Sequence, residues 1–78
     1  MRAKKPTLVI TFATTTQAMA MEKFCMAQGL PGRLIPVPRE ITAGCGLSWK
    51  ADPADQDTLK NALTQHGMKW QEMHIIEI

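Results

Sequence analysis

Cys45 is the residue of this chain whose setting best suits covalent chemistry. It stands between Gly44 and Gly46, and these glycines leave the sulfur unshielded while allowing the backbone conformations of a tight turn. Upstream, Pro36 and Pro38 fix φ and push the residues before them towards extended conformations. The pattern predicts a stiff approach to an open turn that carries one nucleophilic thiol.

Charged and titratable residues elsewhere could assist this thiol. Arg39 precedes Cys45 in the same loop, where its positive charge would favour the thiolate and lower the thiol pKa. His66, near the end of a predicted helix, is a candidate proton donor or acceptor. Plainer interpretations remain open: Arg39 and Glu40 could form a solvated surface pair, His66 could be a helix-end residue that suits the helix dipole, and Cys45 could simply fill space.

The run from Val37 to Leu47, with Pro-Arg-Glu-Ile followed by Gly-Cys-Gly-Leu, resembles the small bacterial family of Se/S carrier protein-like proteins. The resemblance covers most of the chain, from about residue 7 to residue 70, and its specific part is the central loop. It implies that Cys45 carries sulfur or selenium. Three further residues of the same motif stand here unaltered: Arg39, Glu40 and Gly46.

Length and composition describe one small α/β domain over residues 1–78, with residues 1–6 as a flexible N-terminus. A chain of 78 residues has little volume for a deep cleft, so function is expected on surface loops. The net charge of +2, from basic residues that are scattered along the sequence, predicts neither a nucleic-acid nor a membrane partner. The apolar run at residues 8–12 is too short for a signal peptide or a membrane span, so a cytoplasmic location is expected.

The second cysteine, Cys25, has no counterpart in the loop motif. In a reducing compartment two cysteines are expected as free thiols rather than as a disulfide. The apolar face of the first predicted helix contains Ala20, Met21, Phe24, Cys25 and Ala27, which places Cys25 in the core. Because the cysteines and histidines are isolated in sequence, no metal site is expected, and no phosphate-binding glycine loop or other cofactor motif is present.

Hydrophobic spacing predicts four strands and two helices. The strands cover residues 7–13, 34–37, 47–51 and 70–78, one helix runs from a cap at Thr14 to about Gln28, and the other runs from a cap at Asp52 to Gly67. The order β-α-β-β-α-β predicts an α+β, ferredoxin-like two-layer sandwich. Its antiparallel sheet would have the order 4-1-3-2, with both helices on one face and Pro36 on an edge strand.

The spacing of the residues also predicts which faces of the second helix and of the sheet are buried or open. Leu59, Ala62, Leu63 and His66 have the spacing of one buried helical stripe. The sheet face without helices is expected to contain Val9, Ser48 or Trp49, Gln71, Met73 and Ile75. An apolar face of this kind favours a homodimer.

The predicted topology brings distant segments to the thiol. The turn between the second and third strands lies where the first strand ends and the first helix begins, so Cys45 should lie near Thr14 and Thr15. The unpaired N–H groups of a helix N-terminus stabilise a thiolate. His66 should arrive at the same end of the sheet.

The leading hypothesis is a carrier that accepts sulfur or selenium on Cys45 as a persulfide or selenosulfide. Its partners would be proteins that donate and accept the atom, so a carrier or binding protein is favoured over a stand-alone enzyme. The alternative is a binding or regulatory module that uses the loop at residues 38–46 and the open sheet face, with Cys45 in a structural role. Both hypotheses stay open because the fold alone does not determine the function. A thiol-disulfide oxidoreductase would need the sulfurs of Cys25 and Cys45 within bonding distance.

Overall fold

The computed structural model describes residues 4–41 and 45–78. The elements in chain order are β1 (Pro6–Thr11), α1 (Thr15–Gln28), β2 (Arg33–Pro36), β3 (Leu47–Ala51), α2 (Gln56–Gln65) and β4 (Glu72–Glu77), with a 3₁₀ turn at Pro53–Asp55 before α2. All strand pairs are antiparallel. The predicted α+β class, with four antiparallel strands and two helices, is confirmed, while the flexibility of residues 1–6 stays a prediction.

The four strands form one sheet in the order β2-β3-β1-β4. β1 lies in the interior of this sheet, where Leu8 pairs with Ala51 of β3 and with Ile75 of β4. β2 lies at an edge, which confirms the prediction for Pro36. The reason is chemical, because proline has no N–H to donate to a ladder and is tolerated where one side of the strand is unpaired.

One hydrophobic core joins the sheet to both helices. β1 and the residue that follows it contribute Leu8, Ile10 and Phe12, and β3 contributes Trp49 and Ala51. The helices add Ala18, Met21 and Cys25 from α1, together with Leu59 and Leu63 from α2. Since both helices pack on the same set of strand side chains, they cover the same face of the sheet.

The ends of α1 follow from its cap residues, as the sequence predicts. The Thr14 hydroxyl oxygen accepts a hydrogen bond from the backbone N–H of Gln17 at 3.1 Å, and the Gln17 side chain accepts one from the N–H of Ala13 at 3.2 Å. This arrangement satisfies two backbone donors near the helix start. At the other end Gly29 adopts a left-handed conformation with φ of +67°, which ends the helix.

The predicted buried faces of the helices are partly wrong. Ala20 and Ala27 are exposed, and Ala18 is buried instead. Apolar residues surround α1 on all sides, including Met19 and Met26, which are 59% and 76% exposed, so spacing alone does not identify its inner face. In α2, His66 is exposed because it is the C-cap residue, beyond the last helical turn.

The face of the sheet without helices is more polar than predicted. Trp49 lies in the core. Met73 pairs with Ile10 and Ile75 pairs with Leu8, so both face the same side of the sheet as the core. The face without helices instead carries Arg33 and Ile35 of β2, Thr7, Val9 and Thr11 of β1, Ser48 and Lys50 of β3, and Glu72, His74 and Ile76 of β4. Four of these residues, Thr7, Val9, Thr11 and Ser48, are buried. Val9 and Ser48 were placed correctly, and a homodimer through this face stays a prediction.

The buried Cys25 should make stability fall at alkaline pH. Its side chain is 1% exposed, and burial raises the pKa of the Cys25 thiol from 9.0 to about 11. Between those values the unfolded chain loses a proton that the folded chain keeps, so the free energy of unfolding falls as the pH rises. The full loss is roughly 3 kcal/mol. Urea unfolding measured across this pH range will show the loss.

Two cysteine variants distinguish the contribution of Cys25 to the pH dependence of stability from that of the lysines. Cys25→Ala should be less stable than the parent below pH 9 and should show a shallower fall between pH 9 and about 11. Cys45→Ala should keep the steep fall of the parent. Equal slopes in Cys25→Ala and in the parent would contradict the prediction.

Candidate functional site around Cys45

The loop that carries Cys45 connects the neighbouring strands β2 and β3. Beyond the ladder pair Pro36 and Leu47, the backbone N–H of Val37 donates to the carbonyl oxygen of Gly46 at 3.0 Å. Gly46 has φ of +82°, a conformation that residues with a side chain rarely adopt. Cys45 therefore lies just outside the end of the ladder, beside a glycine that the turn requires.

The thiol of Cys45 lies at the boundary between the core and the solvent. The residue is free and half-buried, and its sulfur donates to the carbonyl oxygen of Leu47, with 3.5 Å between the two atoms. The side chain also packs against the hydrophobic core. Cys25 differs because it is buried, with its sulfur 3.9 Å from the sulfur of Met21. The expected core position of Cys25 is confirmed.

A turn at the start of the loop presents the two charged residues of the motif. The backbone N–H of Ile41 donates to the carbonyl oxygen of Pro38 at 3.0 Å, which places Arg39 and Glu40 at the two corners, both exposed. Ile41 is only 8% exposed and anchors the loop, a role that the sequence analysis missed although an isolated isoleucine in a polar loop is a signal for it. Gly44 lies outside the described residues.

The N-terminus of α1 lies at the same end of the sheet as Cys45. Thr11, the last residue of β1, pairs with Ser48 near the start of β3, so the end of one strand and the beginning of the other are adjacent. Thr14 and Thr15 follow β1 directly, and both are exposed. The hydroxyl oxygen of Thr14 is engaged as the helix cap. The roles of Thr14 and Thr15 as stabilisers of a thiolate stay predictions.

His66 packs against α1. Its ring and the ring of Phe24 have centroids 4.9 Å apart and planes inclined at 58°. Phe24 lies in the C-terminal half of α1, away from the cap at Thr14. The role of His66 as proton donor or acceptor for Cys45 stays a prediction.

Four basic residues that are scattered along the sequence lie close together in the fold. Lys4, Lys5, Arg33 and Lys50 line one groove at the end of the sheet opposite Cys45. Part of this clustering could have been found from the sequence. Once β2 and β3 are joined as a hairpin, the register makes Arg33 and Lys50 direct partners.

The fold and the site together define a small α+β protein with one half-exposed thiol on a hairpin loop. The model of the family described as Putative Se/S carrier protein-like matches residues 7–75, nearly the whole chain, so the chain belongs to this family. Comparison with curated proteins and with solved structures gave no match. No helix among the described residues is long and apolar enough to cross a membrane.

Proposed function

We propose that this protein carries sulfur or selenium on Cys45 and passes the atom to a partner enzyme in the cytoplasm. The observation that carries the proposal is the free, half-exposed thiol at the end of the β2–β3 hairpin. Membership of the Se/S carrier protein-like family supports it. The proposal includes a ferredoxin-like βαββαβ scaffold, supported by the element order and by the sheet order β2-β3-β1-β4.

The proposed transfer is an exchange between thiols. The Cys45 thiolate attacks the terminal sulfur of a persulfide on the donor protein. A new sulfur–sulfur bond forms on Cys45, the donor's sulfur–sulfur bond breaks, and the donor leaves as a thiolate that takes up the proton lost by Cys45. The transferred sulfur keeps its oxidation state, so no outside oxidant is needed. Delivery repeats the exchange with a nucleophile of the acceptor, and a selenosulfide reacts in the same way.

The remaining motif residues have supporting roles in this proposal. Arg39 and Glu40 lie exposed at the corners of the Pro38–Ile41 turn, where a partner protein could contact them. Gly44 and Gly46 keep bulky side chains away from the sulfur. The helix start at Thr14 and Thr15 and the positive charge of Arg39 would favour the thiolate, and His66 would exchange its proton.

A structural role for Cys45 is the second candidate, and one observation favours it. The side chain packs against the core and donates to the carbonyl oxygen of Leu47, as a cysteine that only holds a turn would do. In that case the protein would be a binding or regulatory module that uses the loop at residues 38–46. Reactivity of the native thiol separates the two candidates.

Alkylation of the native protein should modify Cys45 at least about tenfold faster than Cys25, because the half-exposed thiol is accessible while the buried one is protected and remains protonated. Mass spectrometry of the peptides that contain each cysteine measures both rates in one sample. The urea-unfolded protein is the control, in which both cysteines should react at similar rates. If Cys45 is as slow as Cys25 in the native protein, the carrier proposal is wrong and the structural role is favoured.

A further inference from the structure

A basic groove lies at the opposite end of the sheet from Cys45. It has a volume of about 640 Å³ and is lined by Lys4, Lys5, Arg33 and Lys50, with Asp52, Asp55 and Ile78, the last residue of the sequence, also on its walls. Its lining side chains therefore carry four positive and two negative charges. Small-molecule sites commonly have volumes of roughly 300–1,000 Å³, so the groove has the size of a ligand site.

Two of these cations are held side by side at a cost to stability. Arg33 and Lys50 are direct partners of the β2–β3 ladder, so their side chains leave the same face of the sheet, and like charges opposite each other are destabilising. Among the residues that the structure describes, no carboxylate lies within ion-pair distance of either one. An anion bound between them would relieve this repulsion.

Hydrogen bonds hold the backbone of Lys5 and the carboxylate of Asp52 in place at the groove. Lys5 and Ile78 exchange two backbone hydrogen bonds, at 3.4 and 3.3 Å, which fix the N-terminal segment against the end of β4. The side chain of Asp52 accepts a hydrogen bond from the N–H of Ala54 at 2.9 Å. That carboxylate caps the turn before α2.

One wall of the groove is tightly packed. The indole N–H of Trp49 donates to the carbonyl oxygen of Pro31 at 3.1 Å. Gly32, next in the chain, has φ of +114°, and a Cβ there would collide with the Trp49 ring and with the Lys50 carbonyl oxygen. The backbone of residues 31–32 is therefore fixed against the strand that carries Lys50, so this wall of the groove is preformed.

We propose that this groove binds a small soluble phosphomonoester. A phosphomonoester carries a charge near −2 at neutral pH, so the four basic side chains of the groove attract it. The planar guanidinium of Arg33 can donate two parallel hydrogen bonds to phosphate oxygens, while lysines add point charges. A concave groove of this volume suits a small ligand. This proposal is independent of the chemistry of Cys45.

Titration with glycerol 3-phosphate, followed by NMR of the tryptophan indole N–H groups, tests the proposal. The Trp49 resonance should shift and saturate, because its N–H is bonded to the groove wall at Pro31. The resonance of Trp70, which does not line the groove, should stay in place. Arg33→Gln and Lys50→Gln should each bind about tenfold more weakly, the loss expected for one charge-assisted hydrogen bond.

The matched control is Lys60→Gln, which removes an exposed lysine of α2 outside the groove and should bind like the parent. Both groove variants should fold, since each removes a repulsion between like charges. A shift that does not saturate would overturn the proposal, as would one that sodium chloride reproduces at equal ionic strength. Binding to vesicles of phosphatidic acid or to polyglutamate, but not to glycerol 3-phosphate, would also overturn it.

Discussion

Cys45→Ser should abolish the loading of sulfur from a persulfide donor while leaving the fold intact. A serine hydroxyl forms no sulfur–sulfur bond and is not ionised at neutral pH, so no acceptor atom remains. The hydroxyl can still donate to the carbonyl oxygen of Leu47, the partner of the Cys45 thiol. The position is half-buried, so we expect the free energy of unfolding to change by only about 1 kcal/mol. Intact-protein mass spectrometry will show whether one sulfur atom is added.

Cys25→Ala is the control for this experiment. It removes the other thiol and should load as the parent does, although a buried side chain is shortened and some stability is lost. Loading of Cys45→Ser to the level of the parent would contradict the carrier proposal. Loss of loading in both variants, with the fold retained, would instead indicate a reaction that needs both cysteines.

Gly32→Ala should destabilise the protein by about 3 kcal/mol, the largest loss that we expect from a single methyl group in this chain. Two causes add. The residue has φ of +114°, which a side chain makes costly, and the new Cβ would meet the Trp49 ring and the Lys50 carbonyl oxygen. Neither neighbour can yield cheaply, because Lys50 lies within β3 and Trp49 lies in the core. The midpoint of urea unfolding measures the loss.

Gly29→Ala provides the comparison. Gly29 also has a positive φ, +67°, but a Cβ there would have no neighbour within 4 Å. Only the conformational cost applies, so we expect a loss of about 1 kcal/mol. Equal losses in the two variants would show that contact with Trp49 and Lys50 contributes nothing at position 32.

Local signals were enough to predict most of the elements. The Thr14 cap and Gly29 bound α1, and the limits of β3 were predicted correctly at Leu47 and Ala51. These features depend on neighbouring residues, so a single sequence contains the information. The inner face of α1 did not follow from spacing, because Met19 and Met26 put apolar side chains on its outer side as well.

The candidate site was predictable in part. Two glycines around a cysteine are a local signal, and Cys45 does lie half-buried on the loop that joins β2 and β3. The contact of His66 with Phe24 and the burial of Ile41 depend on tertiary packing, which spacing does not specify. The basic groove depends on strand register, since Arg33 and Lys50 are far apart in sequence yet directly paired.

The two edges of the sheet are chemically unequal. The backbone N–H of Val37 points towards β3, where it donates to Gly46. Backbone groups of successive residues in a strand point to opposite sides, so the nitrogen of Pro36 points away from β3. A proline nitrogen carries no hydrogen, and this position offers no N–H at the β2 edge. The β4 edge, Glu72–Glu77, contains no proline and keeps its outward donors. A fibre that grows by strand addition uses both sheet edges of every molecule. Pairing through the β4 edge alone joins two copies and then stops. The proline that stiffens the approach to Cys45 thus also removes one of the donors through which the β2 edge could pair with another molecule.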